Sequence, residues 1–175
     1  MTTGEQARLF VTAWPPDDVR DALGALERPD EPGVRYTTRA QWHVTLRFLG
    51  TVAVDAAVDA LGRVDATACE AVLGPAVARM NRDLVVVPVA GLDALAAAVR
   101  RATEGLGEPP PPRFAGHLTI ARLKRRPACR IAGAPFRARF PVSSIDLVRS
   151  ELLPTGARYT TVATRALRPG DRRAG

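Results

Sequence analysis

One pattern constrains this chain more than any other: a strand, a helix and a strand opening His-apolar-Thr-apolar occur twice in the same order. His43-Val44-Thr45-Leu46 and His117-Leu118-Thr119-Ile120 are the two tetrads, and they contain the only histidines of the 175 residues. Val11 precedes His43 by 32 residues, and Val85 precedes His117 by 32 residues. Matched supersecondary units at equal spacing predict a pseudo-twofold duplication. The expected fold is α+β and bilobed, with duplicated strand-helix-strand units whose antiparallel sheets form a central groove. Residues 1–168 are expected to make one domain, the usual size for a single core, and 169–175 a frayed tail.

Residue periodicity fills in the elements. Arg8 to Trp14 reads as a strand, and Pro15-Pro16-Asp17-Asp18 as a helix start carrying Val19, Leu23 and Leu26 on one stripe. From Trp42 to Leu49, alternation sends Trp42, Val44, Leu46 and Phe48 one way and His43, Thr45 and Arg47 the other. Helices are expected over Val54 to Val64 and Leu92 to Leu106, with strands at Ala71 to Leu73, Leu84 to Val89 and His117 to Leu123. Pro109 to Pro112 form a stiff connector that cannot continue a helix. Strands near Phe136–Phe140, Ile145–Leu153 and Tyr159–Ala166 complete the sheet.

A single His-x-Thr in a strand is ordinary, because Thr is a favoured strand residue. With 14 threonines in the chain, Thr two places after both histidines is roughly a one-in-a-hundred event by chance. In a strand, residues i and i+2 share a face, so each His lies beside its Thr while Val44, Leu46, Leu118 and Ile120 anchor the other face. Two such strands side by side display two imidazoles and two hydroxyls into one groove.

That set suits hydrolysis of a cyclic phosphodiester. The attacking water must lose a proton and the leaving ribose oxygen must gain one, and imidazole does either near neutral pH. The threonine hydroxyls and a nearby Arg would steady charge on the phosphoryl oxygens. No metal is needed to activate the water, and no cofactor is implied. A zinc site would need a third ligand, and neither His-Glu-x-x-His nor Cys-x-x-Cys spacing supplies one.

At this point the residues resemble the 2H phosphoesterase superfamily, named for its two H-x-T-x motifs. They are similar above all to the RNA 2′,3′-cyclic phosphodiesterases, also called 2′-5′ RNA ligases of the LigT type. The resemblance runs over nearly the whole chain: Arg8-Leu9-Phe10-Val11, His43 through Gly50, Arg113-Phe114 leading into His117 through Arg122, and Ser150-Glu151-Leu152 with Gly156 and Tyr159. It implies that His43 donates a proton to the ribose O3′, that His117 accepts one from water, and that a 2′-phosphate end results. It further implies phosphate binding by Thr45, Thr119 and Arg122, with Phe48 and Tyr159 against the substrate. The motifs are nearly symmetric, so the sequence does not itself divide the proton roles. Phe48 reads from its parity as a core residue or, by resemblance, as a stacking platform for a base. Arg122 has the wrong parity to share a face with His117, and a bulge, a twist or the length of its side chain must bring it into the groove. Two departures stand beside the motifs: Ala157 and Gly116 occupy positions where the family often has proline.

The net charge of +7 favours polyanions such as RNA, although an Arg-rich proteome gives the same balance. Arg122, Lys124, Arg125, Arg126 and Arg130 form a basic run, either a solvated loop or a steering patch beside the groove. The expected partners are RNA with 2′,3′-cyclic phosphate ends, tRNA fragments among them, or cyclic nucleotides. Two other functions remain open: end joining through a 2′-5′ linkage driven by the cyclic phosphate, and a non-catalytic RNA-binding module. Cys69 and Cys129 form no disulfide framework, and the N-terminus carries no signal-peptide pattern. A monomeric, cytoplasmic protein with no membrane span is expected.

Overall fold

Stretches with period-two burial become strands, and those with a three-to-four-residue apolar stripe become helices. The structure is a computed structural model, and it describes residues 4–125 and 128–170. In chain order the elements are β1 (Gln6–Ala13), α1 (Asp17–Gly24), β2 (Val34–Tyr36), a 3-10 turn (Arg39–Gln41), β3 (Val44–Ala53), α2 (Val54–Gly62) and β4 (Cys69–Leu73). They continue with β5 (Ala78–Arg79), β6 (Leu84–Ala90), α3 (Asp93–Ala102), β7 (His117–Leu123), β8 (Ala138–Val142), β9 (Ser144–Leu153) and β10 (Gly156–Ala166).

The strands follow the order β10-β9-β1-β3-β7-β6-β4-β8, with β2 added to β7 and β5 to β6. All of these pairings are antiparallel. The path reads alike outward from its middle: β3 is followed by β1 and β9, as β7 is followed by β6 and β4. The two halves meet where the two histidine strands pair, at Val44 opposite Leu118. The α+β class and the antiparallel halves around a central groove agree with the sequence reading.

The helices knit the halves together. α2 lies on β1, β3, β9 and β10, α3 reaches across to β3, and α1 reaches across to β8. One contiguous buried cluster results, running from Leu9, Val44 and Leu147 on one side to Val85, Leu118 and Phe140 on the other. No helix among the described residues is long and apolar enough to cross a membrane. Cys129 is buried, Cys69 is half-buried, and both are free thiols.

Several boundaries differ from the periodic reading. The third helix stops at Ala102, because Glu104 to Gly107 turn the chain toward the prolines. The strand expected at Phe136–Phe140 begins instead at Ala138, where pairing with Leu73 starts. β2, β5 and the 3-10 turn have no counterpart in that reading, because two or three residues are too few to show a period. Of the expected tail, residues 171–175 lie outside the described residues, as do Met1 to Thr3 and Arg126 of the basic run.

Gly116, at a position where proline is common in the family it resembles, is held by backbone crowding. Its carbonyl accepts a hydrogen bond from the Val89 amide at 2.9 Å. A Cβ added there would lie 2.3 Å from the Val89 carbonyl oxygen, which only a backbone shift can relieve. Because the next residue is His117, that shift would pass directly into the groove. Gly116→Ala should therefore lower the thermal midpoint by at least about 2 °C, the effect of roughly 1 kcal/mol of overpacking in a chain of this size. An unchanged midpoint would contradict this close approach of backbones.

Candidate active site

In an antiparallel ladder, the residues flanking a paired position face each other crosswise. With Val44 opposite Leu118, His43 lies across from Thr119 and Thr45 across from His117, all on the face away from the core. Directly opposed side chains in such a ladder stand about 5 Å apart and diagonal ones about 7–8 Å at the backbone. Two imidazoles reaching inward from diagonal corners can thus address one tetrahedral group between them. All four side chains line one cleft of about 490 Å³.

The residues before each histidine fix its ring in the same way. The Nδ1 of His43 is 2.7 Å from the Gln41 carbonyl, and the Nδ1 of His117 is 2.7 Å from the Ala115 carbonyl. A carbonyl can only accept, so Nδ1 carries the hydrogen in both rings, and Nε2 is the nitrogen left for chemistry. The Nε2 of His43 lies 3.0 Å from the Thr45 hydroxyl, which donates to it when the ring is neutral. Gln41 is itself anchored. Thr38 and Gln41 form a capping box, the Gln41 amide donates to the Ala157 carbonyl at 3.1 Å, and Arg39 bridges to Asp17 and Asp21 of α1.

His43 sits among aromatic rings. Phe10, Tyr159 and Trp14 lie with centroids 4.9, 5.1 and 5.6 Å from the imidazole. The Trp14 indole N–H is held by Asp146 at 3.0 Å. Burial in this nest is the main reason that the His43 pKa falls to about 4; the Gln41 carbonyl opposes the shift, and the positive charges of His117 and Arg122 add to it. In the free protein His43 is therefore neutral at pH 7. Burial also raises the pKa of Tyr159, against the pull of Arg122 and Arg8.

Two bulges carry the remaining predicted residues into the cleft. On β7, Ala121 pairs with Val85 and Thr119 with Val86, leaving Ile120 as an extra residue. On β3, Arg47 pairs with Val11 and Thr45 with Thr12, leaving Leu46 as the extra residue. Both bulges fall three places after the histidine. They shift the parity by one, so Arg122 joins the face of Thr119, and Phe48 joins the face of Thr45. The sequence reading that put Phe48 with Val44 and Leu46 toward the core is corrected here: Phe48 lines the cleft and Arg47 is buried. The missing step for Arg122 is this bulge.

Each bulge has its own support. The Thr37 amide donates to the Ile120 carbonyl at 2.9 Å, and the Thr37 hydroxyl lies 2.8 and 2.9 Å from the Thr119 and Ile120 carbonyls. The Trp42 indole donates to that hydroxyl at 3.1 Å. On β3, the buried Arg47 guanidinium donates to the carbonyls of Phe48, Leu106 and Glu108, tying the bulge to the proline-rich connector. Arg8 lies over the Phe48 ring, 4.7 Å from its centroid.

All seven predicted residues, His43, His117, Thr45, Thr119, Arg122, Phe48 and Tyr159, thus line a single cleft. Sequence reasoning missed Arg8, Arg35 and Gln41 in the same wall. Arg8 shares strand parity with Phe10 and was detectable; Arg35 and Gln41 stand on short elements with no periodic signal. Among the described residues there is no cluster of three or more His, Cys, Asp or Glu side chains able to hold a metal ion.

No protein-family model and no curated protein matches the chain. Solved structures do. One described as a phosphoesterase is 25% identical, with a TM-score of 0.76 over 94% of this chain and 99% of that one. TT0787 of Thermus thermophilus is 28% identical, with a TM-score of 0.72 over 93% of this chain and 98% of that one. LigT of E. coli, complexed with 3′-AMP, is 24% identical, with a TM-score of 0.76 over 93% and 99%. The chain has the fold of the LigT-like phosphoesterases, consistent with its two H-x-T-x motifs and with the 2H phosphoesterase superfamily.

The depressed His43 pKa has a measurable consequence. The unfolded chain takes up the His43 proton near pH 6.5, whereas the folded protein resists it down to about pH 4. This contribution to stability is complete above pH 6.5 and is lost as pH falls toward 4, with a slope of up to about 1.4 kcal/mol per pH unit. Urea unfolding from pH 7 to 4.5 should show a steeper loss for the wild type than for His43→Gln. Parallel pH curves would show that the ring is not held neutral by burial.

Proposed function

We propose that this protein hydrolyses 2′,3′-cyclic phosphodiester ends of RNA, or the corresponding cyclic nucleotides, to 2′-phosphomonoesters. The observation that carries the reading is the crossed quartet of His43, Thr45, His117 and Thr119 on one face of the β3–β7 pair. The phosphate would lie between the two Nε2 atoms. His117 accepts a proton from water as the water oxygen bonds to phosphorus. The P–O3′ bond breaks, and His43 delivers a proton to O3′. Thr45, Thr119 and Arg122 donate to the non-bridging oxygens, where charge accumulates.

The electrostatics add one condition to this division of labour. His43 is neutral in the free protein, so its role as donor draws on a proton gained with the anionic substrate, whose charge offsets the effect of burial. Phe48 offers a face for the base, beside a further cleft of about 690 Å³ between α3 and the prolines that shares Thr45, Phe48 and His117. Tyr159 closes the wall behind His43. The presence of 3′-AMP on the same fold in LigT supports a nucleotide as substrate.

Incubation with adenosine 2′,3′-cyclic phosphate should yield adenosine 2′-phosphate at a rate unaffected by EDTA. His43→Ala and His117→Ala should each lower the rate by about 10²- to 10⁴-fold, the usual contribution of a general acid or base. Variants as active as the wild type would remove both histidines from the chemistry. Release of the 3′-phosphate would reverse the assignment of the leaving oxygen.

A further inference from the structure

The quartet and Arg122 account for one phosphate, yet the cleft carries more positive charge than that phosphate requires. Arg8, Arg35 and Arg122 line it, and no Asp or Glu among the described residues does. Arg35 of β2 is the direct cross-strand partner of Arg122 of β7. Like charges opposed in this way repel and destabilise a sheet unless something between them is negative. Neither arginine has an ion-pair partner among the described residues; every carboxylate that pairs with an arginine there serves another one.

Arg35 is also held in place. Its guanidinium crosses from β2 to the β9–β10 hairpin and donates to the Thr155 carbonyl at 3.1 Å. It fits there because residue 156 is glycine: a Cβ at Gly156 would stand 2.4 Å from Arg35 Nη2. The pair lies to one side of the quartet, since Arg122 follows Thr119 by three residues with one bulge between, about 7 Å along the strand. The matching position on β3 holds Phe48. The cleft therefore has an aromatic face, with Arg8 over it, at one end and two opposed guanidinium groups at the other.

We infer that Arg35, standing next to the Arg122 that serves the cyclic phosphate, makes a second anion site for the phosphate on the 5′ oxygen of the same nucleoside. This deepens the phosphodiesterase reading and rests on it for the position of the first phosphate. A nucleoside cyclised through O2′ and O3′ has only its 5′ oxygen left to carry another phosphate. That group is a monoester in a free nucleotide and a diester in an RNA strand, and both present oxygens to the Arg35 guanidinium.

Calorimetric titration tests the site without turnover, using adenosine 2′-phosphate, adenosine 2′,5′-bisphosphate and the dinucleotide ApA bearing a terminal 2′-phosphate. The wild type should bind the bisphosphate at least about tenfold more tightly than the monophosphate, as expected for an added charge-assisted contact. Arg35→Gln should reduce that ratio to less than about twofold. Arg101→Gln, which removes the same charge from the exposed face of α3, should leave the ratio intact. A gain with the dinucleotide equal to that with the bisphosphate assigns the site to an RNA strand; a gain with the bisphosphate alone assigns it to a free nucleotide. No preference in the wild type, or a preference surviving in Arg35→Gln, overturns the inference. If the preference is present but the cyclic nucleotide is not hydrolysed, the second site stands and the hydrolase reading fails.

Discussion

The site depends on one short contact between strands, the pairing of Val44 with Leu118. These two side chains are fully buried and belong to the shared core. Burying them turns their neighbours outward, and antiparallel geometry then sets His against Thr on both sides. The same apolar burial that joins the two halves therefore aims the polar quartet. A one-residue slip would send the histidines into the core and the valine and leucine into the cleft, so the register is specified by the hydrophobic effect as well as by hydrogen bonds.

The near-symmetry of the two halves makes their differences informative. Each histidine strand carries a bulge three places after its histidine, β3 having a second at Leu49, and the burial sequence from His43 to Leu49 matches that from His117 to Leu123 apart from the greater exposure of Arg122. Equivalent positions hold different side chains, Phe48 against Arg122 and Arg47 against Ala121. The duplicated backbone supplies a twofold frame, and these two exchanges give it direction. Arg47 also shows how a strand position with a charged residue becomes interior: three backbone carbonyls take up its two Nη groups in place of water, while Nε is buried without a partner. Burial lowers its pKa, more than Arg100 does, and Glu108 opposes the shift.

Much of this arrangement was legible in the sequence, because the signals were periodic. The two H-x-T strands, α1, α2, β6 and the start of α3 declare themselves through regular spacing of apolar residues. What stayed hidden depends on contacts between distant segments. The bulges at Leu46 and Ile120 occur among ordinary strand-forming residues, with no glycine to mark them, and they are held by Thr37, Leu106 and Glu108 from elsewhere in the chain. Parity therefore misplaced Phe48 and Arg47 and left open which of a bulge, a twist or side-chain length brings Arg122 to the cleft. The low pKa of His43 was equally hidden, because Phe10, Trp14 and Tyr159 meet only once β1 and β9 have paired and β10 has folded over them.

Since the chain contains only two histidines, labelling with ¹⁵N-histidine gives a direct view of both rings. Titration with adenosine 2′-phosphate, followed by NMR at pH 6.5, should shift both Nε2 resonances along one binding isotherm, with His43 moving from neutral toward protonated. Movement of one ring alone, or two isotherms with different midpoints, would contradict the convergence of both imidazoles on a single phosphate.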